Sequence, residues 1–391
     1  MRLVSSLNNL IFDIEMKHIP IILYIFLFIT SCRKENTIKH FNASTEIKIK
    51  HAKGFKIFHF DNYKKIEVNS PWPNSKNAFT YLLIEKGTEK PENIEYDALI
   101  EIPIKKLVVT STTHIPALEA LGFENTLVGF PETQYISSKK TRKNIDAGNI
   151  KDLGVNESIN TEILINLQPD LIIGFSLNDS NKTYETIKNS GIPVVYNGDW
   201  VEKTPLGKSE WIKFFAPFFN KEEEADSIFS KIESEYLMAK KIAEKAINKP
   251  TILSGAMFKD IWNLPSGESW AAQFLKDANA NYLWSDTKGT GSLSLSFESV
   301  LEKAQNADFW INTSQFSTYQ ELDNDNAHYS QFKAYKDKKA YTFSLTKGET
   351  GGLLYYELAP SRPDIVLKDL IHILHPELLP NHQPFFFKPL E

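Results

Sequence analysis

An unbroken helical repeat from Lys221 to Ile247 constrains this chain more than any other stretch. Apolar side chains at Ala225, Ile228, Phe229, Ile232, Tyr236, Ala239, Ile242, Ala243 and Ala246 recur at spacings of three and four, the period of one buried helix face. Asn220 is the expected N-cap, and Glu222, Glu223 and Glu224 sit where the positive helix end favours carboxylates. Lys240, Lys241 and Lys245 complement the other end, and Pro250 stops the helix. At about 1.5 Å per residue the segment is roughly 40 Å long, more than one small lobe needs. It is either a long core helix or a strut between two lobes, and its flanks decide which.

The flanks repeat one another. Before the helix, Leu107–Thr110 reads as a short strand, Ser111–His114 leads into a helical pattern ending at Gly122, and Thr126–Phe130 is a second strand. Asn160 and Glu162 then open a helix that leads to Asp170 and the strand Leu171–Phe175. After the helix, Thr251–Ser254 opens in the same way, a helix runs from Trp270 toward Asp277, and Asn281–Trp284 matches the second strand. Ser296 and Glu298 open a helix that leads to Asp308 and the strand Phe309–Asn312. Strands alternating with helices predict parallel sheets with helices on both faces. The expected fold is α/β: two doubly wound lobes joined by one long helix, with a ligand pocket between them.

Composition fits two cores and narrows the partners. The chain has 391 residues, 42% hydrophobic, with a formal net charge of -5 and no long basic run, which argues against a nucleic-acid partner. Aromatic residues make up 12%, including 7 Trp and 15 Tyr, enough to line a site for a large flat ligand as well as the cores. The 1 Cys is Cys32, so no intrachain disulfide forms. Met16-Lys-His18 is a short positive segment, Ile19 to Phe28 an apolar run too short to span a bilayer comfortably, and Ile29-Thr-Ser-Cys32 resembles a lipobox. That resemblance implies a signal peptide over 1–31 and lipid on Cys32, and Met16 is the expected start because Asp13 and Glu15 would spoil a positive segment that began at Met1. Residues 32–45 read as a tether, 46–104 as an antiparallel β addition, 105–219 as lobe 1, 220–249 as the linker and 250–391 as lobe 2. Within the addition, Ile47–His51, Phe55–Phe60 and Ala78–Ile84 are the expected strands, with a turn at Pro71–Asn74.

Taken together, Lys106–Gly122, Thr126–Gly129 and Glu162–Ile173 resemble the first lobe of periplasmic binding proteins for iron–siderophore, haem and cobalamin import. Pro265–Trp270, Leu275–Trp284, Phe297–Leu301 and the closing helix pattern Ser361–Pro376 resemble the second lobe. The resemblance covers roughly Ile104 to Leu379 and does not extend to the β addition. It implies a periplasmic, lipid-anchored protein that captures a metal chelate (an iron–siderophore, cobalamin or haem), has no intrinsic cofactor, and delivers its ligand to an ABC permease dimer. It further implies that Glu162 and Glu298, one per lobe, dock onto the permease. Two like charges related by an internal repeat suit a two-fold partner, while each also stabilises its helix N-terminus.

Ligands of open α/β sheets lie beyond the carboxyl ends of the strands. This points to Thr112, Thr113 and His114 after the first strand, Tyr135 after the second and Trp200 after the last strand of lobe 1. In lobe 2 it points to Trp262 and Tyr319. For Thr112–His114 the alternative is a helix cap; for each aromatic it is a place in the core. Arg362 suits an anionic ligand or a salt bridge with Asp364 or Asp369. The 9 His are scattered, and His372 and His375 read as structural, so no protein-held metal site is expected. There is no G-x-S-x-G, P-loop or G-x-G-x-x-G segment, so an enzyme is not expected. The competing readings are a sensing or scavenging surface lipoprotein without a permease, and a secreted hydrolase.

Overall fold

The structure is a computed structural model that describes residues 45–178 and 181–391. Cys32, the signal segment and most of the tether lie outside the described residues. No described helix is long and apolar enough to cross a membrane.

The β addition is a five-stranded sheet in the order β1 (Thr45–Glu46), β2 (Phe55–His59), β3 (Tyr63–Asn69), β4 (Ala78–Glu85), β5 (Ala98–Ile102). The first four strands are antiparallel and β5 runs parallel to β4. Register places Ile66 opposite both Ile57 and Tyr81, so one face is continuously apolar and buried. Ile47–His51, expected as a strand, is not one. The backbone N–H groups of Lys50, His51 and Ala52 instead donate to the Glu210 carboxylate, which replaces a strand partner. Strand β3 escaped the sequence reading because Lys64, Lys65 and Glu67 interrupt its alternation.

Lobe 1 is a parallel sheet of β6 (Leu107–Val109), β7 (Leu127–Phe130), β8 (Lys151–Asp152), β9 (Leu171–Gly174) and β10 (Val194–Tyr196), in the order β10-β9-β6-β7-β8. The linking helix spans Glu222–Ala243, 22 residues or roughly 33 Å. It is shorter at its C-terminal end than its apolar pattern suggested. Asn220 is not its N-cap: that residue is left-handed, ends the preceding turn, and gives its side chain to Lys64 and Glu85.

Lobe 2 contains β11 (Thr251–Ser254), β12 (Ala256–Phe258), β13 (Ile261–Pro265), β14 (Asn281–Tyr282), β15 (Ser292–Leu295), β16 (Phe309–Ile311), β17 (Ala340–Thr342) and β18 (Lys388–Pro389). Its main sheet has the order β14-β11-β16-β17-β18, parallel except for β18. Read from the other end, β17-β16-β11-β14 repeats β10-β9-β6-β7, so both lobes follow one winding order. The repeat reaches single hydrogen bonds. Asp170 accepts the N–H groups of Lys105 and Lys106 just before β6, and Asp308 accepts the Thr251 N–H at the start of β11. A separate antiparallel sheet, β12-β13-β15, has no counterpart in lobe 1. Helix Pro363–Leu374 packs along the linking helix and closes the lobe.

Candidate functional site

Beyond β6 the chain turns through a short 3-10 segment, Thr112–His114, capped by the Ser111 side chain. Thr113 Oγ1 donates to Asp199 Oδ2 at 2.8 Å, tying this turn to the loop after β10. That loop is held from below by Lys208, a buried cation whose Nζ donates to the carbonyls of Asp199 and Trp200 at 3.0 Å each. Burial lowers the Lys208 pKa, with Asp199 and Glu202 opposing. Its ammonium also lies 5.3 Å from the ring of Trp270, which belongs to lobe 2.

The lobes meet along a seam at the strand ends. Helix Leu354–Leu358 of lobe 2 packs against the Thr112–His114 turn. The Ser137 N–H donates to Glu357 Oε2 at 2.6 Å, and Thr350 Oγ1 donates to the Gln134 carbonyl at 2.7 Å. Gly348 and Gly352 make the approach possible: a Cβ on either would come within 2.7 Å of Ser137. Glu357 is buried, and burial together with the nearby Glu119 carboxylate pushes its pKa up to about 7. Tyr135 and Tyr356, 56% and 59% exposed, lie on the two strips that meet here.

The seam is closed in the middle and open on both sides. One groove, of about 750 Å³, is floored by Ile228 and Ile232 of the linking helix and walled by Ala117 of lobe 1 and Leu358 and Arg362 of lobe 2. The other, of about 700 Å³, lies between the loop Val201–Thr204 of lobe 1, Glu268 and Thr290 of lobe 2, and Trp72 of the β addition. The addition thus supplies a wall that its sequence gave no reason to expect.

Thr112, Thr113 and Tyr135 lie at the seam, and Trp200, half-buried, adjoins the second groove. His114 does not reach it. The ring is fully buried 5.4 Å from Phe215, and burial lowers its pKa to about 4, with Asp199 and Asn197 opposing. Trp262 is also misplaced in the sequence reading. Its segment forms the β12–β13 hairpin rather than a loop, and its ring is buried against Trp310 with Nε1 donating to the Ser254 carbonyl. Tyr319 sits at the wrong end of the sheet, because its hydroxyl accepts from the N–H of Ala340, the first residue of β17. Arg362 lines the first groove, but its guanidinium forks onto Asp364 at 2.9 and 2.7 Å. Among the described residues no three His, Cys, Asp or Glu side chains gather into a metal site.

Residues 107–344 match the family described as Periplasmic binding protein. The chain belongs to this family. A lipoprotein of Methanocaldococcus jannaschii is 30% identical over 301 residues, 74% of this chain and 69% of that protein. A periplasmic binding protein from Veillonella parvula superposes with a TM-score of 0.58 at 18% identity, covering 88% of this chain and 98% of the other. A periplasmic heme binding protein from Pseudomonas aeruginosa gives 0.55 at 16% identity, covering 74% and 98%. Like other periplasmic binding proteins, the chain binds a solute and is not an enzyme.

On this binding protein, Glu162 and Glu298 occupy equivalent places. Each is exposed and in the first turn of a helix, Thr161–Leu167 with Asn160 as N-cap and Phe297–Ala304 with Ser296 as N-cap. Backbone N–H and the Ser296 hydroxyl lower the Glu298 pKa. Glu357, Lys208 and Tyr356 escaped the sequence reading. Isolated residues carry no period: Glu357 and Lys208 stand out only as buried charges at a lobe boundary, and Tyr356 only as an exposed aromatic there.

Proposed function

We propose that this chain is a substrate-binding lipoprotein, anchored outside the cytoplasm through a lipid on Cys32. It captures a metal chelate (an iron–siderophore, cobalamin or haem) between its lobes and hands it to an ABC permease dimer. The observation that carries this reading is the repeated strand order on either side of one helix, with strand-end loops facing across a seam. Tyr135, Tyr356 and Trp270 offer flat apolar surface there, and Thr112 offers a hydroxyl, a mixture that suits a chelate whose metal is already saturated. Arg362 would hold an acidic group of the ligand once released from Asp364. Glu162 and Glu298 would meet permease cations, one per subunit.

Titration of intrinsic fluorescence tests the ligand class, because Trp72, Trp200 and Trp270 lie at or beside the openings. A ferric siderophore, haem or cobalamin should quench it stoichiometrically; no response to any of the three would overturn the metal-chelate reading. The permease step is tested separately. Glu162→Lys with Glu298→Lys should abolish uptake with ligand affinity intact, and normal uptake by that variant would favour a sensing or scavenging protein instead.

A further inference from the structure

The surface around each docking glutamate carries apolar side chains that folding leaves exposed. On lobe 2 the β12–β13 hairpin ends in Phe258 and Ile261, 64% and 48% exposed, on either side of the polar turn Lys259-Asp260. The two residues are direct cross-strand partners, so their side chains share one face of the hairpin. Strand alternation forces this face outward, because the next residue, Trp262, fills the core of the lobe. Trp262 pairs with Leu295, so Ile261 lies beside Ser296, the N-cap of the helix that carries Glu298. The Lys259 ammonium lies 5.7 Å from the Phe258 ring. On lobe 1, Ile165 is 47% exposed and one turn from Glu162 on the same helix face.

We propose that each glutamate sits at the edge of an apolar pad, and that these pads, chiefly Phe258 and Ile261, supply most of the grip on the permease. This rests on the permease reading of Glu162 and Glu298 given above. The occupant is a membrane-spanning protein rather than the lipid surface. Both glutamates are exposed in the first turn of their helices, and an anionic bilayer would repel both. A partner with a cation beside an apolar hollow, repeated by two-fold symmetry, matches both features at once. The charges then set orientation and encounter rate, while the pads set the lifetime of the complex.

The test uses the chain from Cys32 onward produced without its lipid, which would itself hold the chain on any bilayer, and the metal-chelate permease–ATPase complex of the same organism, in nanodiscs, with empty anionic nanodiscs alongside. Phe258→Ser with Ile261→Ser should weaken binding about 10- to 100-fold, mainly through faster dissociation, at low and high salt alike. Both side chains are exposed, so melting temperature and ligand titration should not move. Glu162→Gln with Glu298→Gln should instead flatten the salt dependence. Binding of the serine variant at wild-type strength overturns the proposal. So does wild-type binding to empty nanodiscs that the serine variant loses, which makes the pads a membrane contact. A wild-type chain that binds its chelate but no permease overturns the importer reading itself, a result distinct from both.

Discussion

Lobe 1 has two joints, one to the β addition and one to lobe 2, and both are made by buried carboxylates accepting backbone N–H groups. They differ in how well the charge is matched. At the addition, Glu210 is fully buried and accepts from Lys50, His51 and Ala52, with Lys213 Nζ at 3.3 Å. Glu202 beside it accepts from Lys53, Gly54 and the indole of Trp211. The cores also merge: Phe55, Ile57 and Ile66 of the addition belong to one apolar cluster with Leu107, Trp211 and Phe229. At the seam, Glu357 meets the Ser137 N–H with another carboxylate, Glu119, close by. The first joint makes one body of two sheets. The second is lighter: Leu206 is the lobe 1 side chain that enters the apolar core of lobe 2, and the rest of the contact runs along the seam.

The largest effect should come from Glu210→Ala. It would leave three backbone N–H groups without their acceptor, while Lys213 keeps Asp226 at 2.8 Å and the Lys48 carbonyl, a loss of about 3 kcal/mol. Because the core is shared, the addition and lobe 1 should still unfold together, in one transition shifted to lower temperature. Early proteolysis of residues 46–104 with an unchanged melt of lobe 1 would show that the two sheets are separable and break the comparison.

The same contrast explains what the sequence reading could and could not see. The alternation of strands and helices in each half, and the long helix between them, follow from periodicity, because runs such as Leu171–Gly174 are buried on both faces and the linking helix on one; the strand order within each sheet does not. Caps at Asn160 and Ser296 were legible because their chemistry is local. The site was less so. Trp262 and Tyr319 were placed in loops by chain order alone, but a hairpin with no counterpart in lobe 1 took the first into the core. The second begins a helix at the amino end of the sheet. Glu210 and Glu357 reach partners 158 to 220 residues away, beyond any window of sequence pattern.

Glu357→Gln should have the next largest effect, and it depends on pH. The folded pKa is raised to about 7 from 4.5, so the folded state holds a proton that the unfolded chain releases. Its contribution is therefore fully present below about pH 4.5 and is lost as pH rises through 7, on the order of 2–3 kcal/mol. Glutamine mimics the protonated form and should remove that slope. Melting temperatures of both proteins between pH 5 and 8 read it directly. Equal slopes would mean that the Glu357 carboxyl does not titrate at the seam.

Glu222 sharpens the comparison from the opposite side, with a smaller effect. It lies in the first turn of the linking helix, where His59 at 3.1 Å and Lys64 at 2.5 Å pin it to the β addition. Burial works against ionisation, but these two partners outweigh it and bring the carboxyl down to about 2 from 4.5. The sign is therefore reversed: stability is present above about pH 4.5 and is lost as pH falls toward 2. After allowance for partial exposure the contribution is about 1–2 kcal/mol. Glu222→Gln should cost that amount at pH 7 and progressively less between pH 4 and 3, so the two melting curves converge in acid. The joint that fuses two sheets should thus weaken in acid while the seam between the lobes tightens. If Glu222→Gln and Glu357→Gln change the pH profile in the same direction, the two joints do not differ in the way their charges imply.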